Sequence, residues 1–67
     1  MNMETKMKFE IGDKVTLVES TNYFLQDVIG KTGIIVAALE KAFCPYQVKF
    51  KEGRRWCKEE ELELYSV

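Results

Sequence analysis

The C-terminal third constrains the fold most. Tyr46-Gln47-Val48-Lys49-Phe50 alternates apolar and polar side chains, passes through Lys51-Glu52-Gly53-Arg54, and continues as Arg55-Trp56-Cys57-Lys58, Glu59-Glu60-Glu61 and Leu62-Glu63-Leu64. Alternation with period two marks a half-buried strand, and Glu52-Gly53 supplies a turn whose glycine tolerates positive φ. The segment therefore reads as strand, tight turn, strand, acidic elbow and final strand. Carrying the register across the turn directs Cys57, Leu62 and Leu64 inward. A very small β-barrel is the expected outcome.

Length sets the scale of that barrel. With 67 residues there is room for one domain and one modest core, because a chain of this size buries only about 60% of the surface its unfolded form exposes. Such domains are commonly helped by disulfides, metal or oligomerisation. Cys44 and Cys57 lie thirteen positions apart with no signal peptide upstream, so a reduced chain in the cytoplasm is expected. No cofactor is implied, and no metal either: the chain has no histidine, no Cys-x-x-Cys pair and no EF-hand loop. No apolar run approaches the ~20 residues of a membrane span. Ten Lys plus Arg against eleven Asp plus Glu leave a net charge of −1, so any attraction for nucleic acid has to come from a local patch.

Residues 1–8 mix polar residues and methionines without a period and are expected to form a flexible tail, with the domain occupying 9–67. Gly12-Asp13 is a turn pair, and Lys14-Val15-Thr16-Leu17-Val18 is a strand with Val15 and Leu17 on one face. Tyr23 to Ile29 is an unusually apolar connection, in which Leu25, Val28 and Ile29 are expected to close the barrel end. Gly30-Lys31-Thr32-Gly33 turns into the β-branched Ile34-Ile35-Val36. Val36 to Phe43 holds good helix formers, but eight residues are too few for a viable isolated helix and Pro45 forbids its continuation. The expected strands are 14–19, 33–39, 46–51, 55–58 and 62–66, around a core of Val15, Leu17, Ile35, Val48, Phe50, Cys57, Leu62 and Leu64.

Gly12-Asp13-Lys14-Val15, Gly30-Lys31-Thr32-Gly33-Ile34-Ile35, Val48-Lys49-Phe50 before a Glu-Gly turn, and Trp56-Cys57 with Glu59-Glu60-Glu61-Leu62-Glu63 together resemble the small SH3-like barrels of the KOW and related groups. The likeness spans about residues 9–66. It implies an all-β, five-stranded SH3-like barrel with a short 3-10 or acidic elbow before the last strand. The stand-alone size is similar to that of phage-encoded SH3-like proteins, which implies host proteins as targets. The chain lacks the Ala-Leu-Tyr-Asp-Tyr run and paired tryptophans of signalling SH3 domains, so a polyproline groove is not expected.

Two surfaces are candidate sites. Tyr23 and Phe24, behind the turn-forming Ser20-Thr21-Asn22, are hard to bury in so small a core, and with Trp56 they can form one protein-binding patch. On the β-hairpin, inward Val48, Phe50 and Cys57 leave Lys49, Lys51, Arg54, Trp56 and Lys58 on the outer face. Cations around an indole suit nucleic acid, by neutralising phosphates and stacking on a base, but are also an ordinary basic strand face. Catalysis is not expected, because Cys57 has no histidine to activate it and reads as core. The run Glu59-Glu60-Glu61 reads as a solvated turn rather than a cation site. The expected function is thus a non-enzymatic protein-binding module, a homo-oligomer and a phage factor acting on a host complex; the alternative is a KOW-like nucleic-acid module using Lys49 to Lys58.

Overall fold

The computed structural model describes residues 7–66. The chain forms β1 (Lys14–Leu17), a 3-10 helix η1 (Tyr23–Val28), β2 (Thr32–Ala38), β3 (Tyr46–Phe50), β4 (Gly53–Cys57), a 3-10 turn η2 (Glu59–Glu61) and β5 (Leu62–Leu64). The strands make one antiparallel sheet in the order β4-β3-β2-β1-β5. The expected all-β class, five strands and 3-10 elbow are all present. The sheet is open: β4 and β5 stand at its two ends, with no ladder joining them among the described residues. The expected tail, 1–8, lies outside the described residues except for Met7 and Lys8, of which Met7 packs against the core.

The hairpin register follows the turn. Lys51-Glu52 sets Phe50 opposite Gly53, and the pairing continues through Lys49–Arg54, Val48–Arg55 and Gln47–Trp56 to Tyr46–Cys57. Gly53 takes a φ of 136°, in the region open to glycine. Between β2 and β3 the register slips between Ile35 and Ala37, a bulge of the kind that bends a strand and raises its twist. The run of helix formers forms no helix: Ala37 and Ala38 complete β2. Beyond them the Leu39 N–H donates to the Pro45 carbonyl at 2.7 Å and the Ala42 N–H to the Leu39 carbonyl at 3.0 Å, which folds the segment into a compact turn before β3.

The core gathers Val15, Leu17, Ile35, Val48, Phe50, Cys57 and Leu62 as expected, together with Phe9, Leu25, Val28 and Tyr46. One expected core residue is corrected. Leu64 is 58% exposed: it pairs with Val15 at the free edge of a strand of three residues, and among the described residues no element packs over that rim. The acidic elbow is also corrected in part. Glu59 and Glu60 are solvated, but Glu61 is buried. Its carboxylate accepts from the Ser20 hydroxyl at 2.6 Å and from the Lys58 N–H at 3.0 Å, so the charge is fully partnered.

The thiols differ in environment. Burial first, then the Glu61 charge, pushes the Cys57 thiol up to about 12, so its nucleophilic thiolate is scarce at neutral pH. Cys44 is half-buried in the loop before β3. Labelling of the native chain with a thiol-reactive dye, read by mass spectrometry, is expected to modify Cys44 alone, with Cys57 following only on unfolding. Equal rates at both positions would contradict the inward register of β4.

Candidate functional site

The site is built around η1. Its first turn is fixed by Asn22, whose side-chain oxygen accepts from the Phe24 N–H at 2.9 Å. The Gln26 side-chain amide closes the same turn, donating to the carbonyls of Ser20 at 3.0 Å and Asn22 at 2.9 Å. Leu25 and Val28, three residues apart, share one side of the 3-10 helix and enter the core. That spacing forces Tyr23 and Phe24 outward. They are 81% and 75% exposed and meet edge to face, with ring centroids 5.5 Å apart at 83°.

Beside the pair lies a hollow lined by Tyr23, Phe24, Gln26, Asp27 and Arg55. Arg55 is the inward-parity residue of β4 between Gly53 and Cys57, and it reaches from the strand to η1. Its Nη2 donates to Asp27 Oδ2 at 2.9 Å and its Nη1 to the Arg54 carbonyl at 3.1 Å. The guanidinium is thereby held in one orientation beside the two rings.

The opposite side of β4 carries a second surface. Register aligns Lys14 with Ile34, Ile34 with Lys49, and Lys49 with Arg54, so three cations and an isoleucine cross four strands in one row. Trp56, 38% exposed, stands in the next row opposite Gln47. At the ends of these rows the Lys58 Nζ lies 4.6 Å from the Phe43 ring centroid and the Lys14 Nζ 4.6 Å from that of Tyr65. Lys51 sits in the hairpin turn. Glu52, beside it, hydrogen-bonds the Lys31 ammonium at 3.0 Å, which holds its carboxyl below the usual range.

Among the residues expected to form sites, Tyr23 and Phe24 are together, whereas Trp56 leaves β4 on the other side from Arg55 and does not line the hollow. Lys49, Arg54 and Trp56 do share the outer face, with Lys58 continuing along it and Lys51 at its end. Sequence reasoning missed Arg55, Asp27, Phe43 and Lys14. For Arg55 the signal was present: the parity that turns Val48 and Cys57 inward also turns Arg55 to that side, and an arginine there needs a partner. Asp27 supplies it from 28 residues away.

Compared with protein-family models, characterised proteins and solved structures, the chain matches none.

Proposed function

We propose that the chain is a non-enzymatic protein-binding module, a small SH3-like unit whose contact surface is centred on Tyr23 and Phe24. The observation that carries this reading is the pair itself. Two adjacent rings, 81% and 75% exposed, are held out by a capped 3-10 helix that Leu25 and Val28 anchor in the core. Large aromatics fixed in this way lose little conformational entropy on binding and dominate interface energetics. Exposed apolar rings of this size on a small domain also favour self-association.

Selection of a displayed random peptide library on the immobilised full chain tests the reading. Enrichment of binders is expected, and replacing both Tyr23 and Phe24 by alanine is expected to weaken them by ~2 kcal/mol or more. Sedimentation of the same two proteins reads self-association, which the double variant is expected to reduce. Because both rings are exposed, the variant keeps its fold. Binders that ignore both substitutions would remove the aromatic centre.

A second reading is favoured by the cation row of the outer face. Lys14, Lys49 and Arg54 form no ion pair among the described residues, and Trp56 offers a ring beside them for base stacking. Binding of single-stranded oligonucleotides with a steep salt slope, lost on charge reversal of Lys49 and Arg54, is the signature of this alternative.

A further inference from the structure

β4 ends the sheet order, so one of its edges faces no strand. A β-turn closes with a hydrogen bond between its flanking residues, here Phe50 and Gly53, and an antiparallel ladder alternates bonded with non-bonded pairs. Gly53, Arg55 and Cys57 therefore direct their main-chain groups to β3. Arg54 and Trp56 direct theirs away from it. The Arg54 carbonyl accordingly takes its hydrogen bond from the Arg55 guanidinium, and no turn or loop backbone bonds to residues 53–57 among the described residues.

We propose that this edge accepts an acidic, extended segment of a partner protein as a sixth strand. The inference rests on the proposed protein-binding function and specifies the partner's chemistry. Backbone pairing with Arg54 and Trp56 supplies register, and alternate side chains of the added strand fall on the two faces of the sheet. On one face they meet Arg54 and Trp56. On the other they meet the hollow of Tyr23, Phe24 and Arg55, which fits an apolar side chain against its rings. A single added strand thus engages Tyr23, Phe24 and Trp56, although these stand on opposite sides of β4.

Charge selects the occupant. Gly53-Arg54-Arg55-Trp56-Cys57 carries two arginines and no acid, and Lys58 follows it. Antiparallel pairing of this edge with itself in a second copy brings arginines against arginines, and like charges facing each other across strands destabilise the pairing. A strand carrying glutamates meets a cation on either face. Arg54 has no acidic partner, and Arg55 is tied to one carboxylate only.

The test uses the full chain and a fluorescein-labelled heptapeptide alternating glutamate with valine and phenylalanine, beside its lysine-for-glutamate counterpart and an analogue N-methylated at alternate residues. The acidic peptide is expected to bind at least ten-fold more tightly than either of the others, and to protect the Arg54 and Trp56 amides from hydrogen exchange. Arg54→Glu, at an exposed position, is expected to invert the preference between the acidic and lysine peptides. Equal binding of those two, or indifference to N-methylation, overturns the strand addition. Loss of binding in the Tyr23→Ala, Phe24→Ala variant despite that indifference leaves the aromatic contact standing. Amide protection that rises with protein concentration in the absence of peptide makes a second copy the occupant and overturns the assignment to a partner. A thymidine oligonucleotide that binds with a steep salt slope and displaces the acidic peptide, without protecting the two amides, gives the edge cations to nucleic acid and likewise overturns it.

Discussion

Tyr46→Ala is expected to lower the free energy of unfolding by roughly 3–5 kcal/mol. Tyr46 is the largest fully buried side chain of the core, at 0% exposure. Its ring meets Phe9 edge to face, with centroids 5.3 Å apart at 70°, and its hydroxyl accepts from the Phe9 N–H at 3.1 Å. Truncating a buried aromatic of this size costs roughly 3–5 kcal/mol in lost burial and residual cavity. A domain of 67 residues has only about 3–10 kcal/mol in total, at roughly 0.05–0.15 kcal/mol per residue. The single substitution therefore removes much of the available stability.

Tyr46→Phe separates the hydroxyl from the ring. It keeps the packing but strands the Phe9 N–H in the core, and an unpaired buried donor costs roughly 1–3 kcal/mol. Urea denaturation followed by circular dichroism is expected to order the proteins as wild type, Tyr46→Phe, Tyr46→Ala. If the phenylalanine variant is as stable as wild type, the hydroxyl does not anchor Phe9. The chain before β1 would then be held by its apolar contacts alone.

The strands were legible because a small antiparallel sheet is written locally. Alternation at Tyr46, Val48 and Phe50, the glycine at position 53 and β-branching at Ile34-Ile35-Val36 each act over a few residues, and the observed strands fall within two residues of expectation at every end. Errors gathered where alternation outruns cover. Leu64 has the right parity and is still exposed, because parity says which way a side chain points and not whether anything lies over it. β5 likewise stops at Leu64 rather than at residue 66, since a free edge offers the following residues no second strand.

Other features depended on distant partners and were invisible for that reason. Glu61 looks like its two solvated neighbours until Ser20, 41 positions away, donates to its carboxylate. Phe9 joins the core through a hydroxyl 37 positions away. Within the candidate site, the apolar Tyr23-to-Ile29 connection stood out in sequence, and the spacing of Leu25 from Val28 held the period of the 3-10 helix. Proximity was not written there. Whether Trp56 meets Tyr23 depends on which side of an edge strand η1 packs, and Arg55, not Trp56, crosses to it.

Gly33→Ala probes a close backbone approach between β2 and β3. Gly33 sits in β2 opposite Val15 of β1, in ordinary strand geometry, so an added methyl meets no dihedral strain. A strand alanine would normally gain about 0.5–1 kcal/mol over glycine. Here the methyl would lie 2.7 Å from the Lys49 carbonyl oxygen and 2.7 Å from Val48 Cγ1. The valine can turn away, but the carbonyl belongs to β3, which is paired on both sides, and moves only if the ladder moves. Overpacking of this kind costs roughly 1–3 kcal/mol and occasionally more, so the steric term outweighs the entropic one. With roughly 1–2 kcal/mol left after that gain, the midpoint of thermal unfolding is expected to fall by about 5–15 °C, at ~4–8 °C per kcal/mol for a domain of this size. Gly30→Ala is the comparison. Gly30 has open space around it but a φ of +85°, and the backbone penalty there is about 1 kcal/mol. The expected order is therefore wild type, then Gly30→Ala, then Gly33→Ala. If Gly33→Ala melts with the wild type, β2 and β3 are farther apart at this point than the structure places them, and the register that aligns Lys14, Ile34, Lys49 and Arg54 on the outer face loses its support.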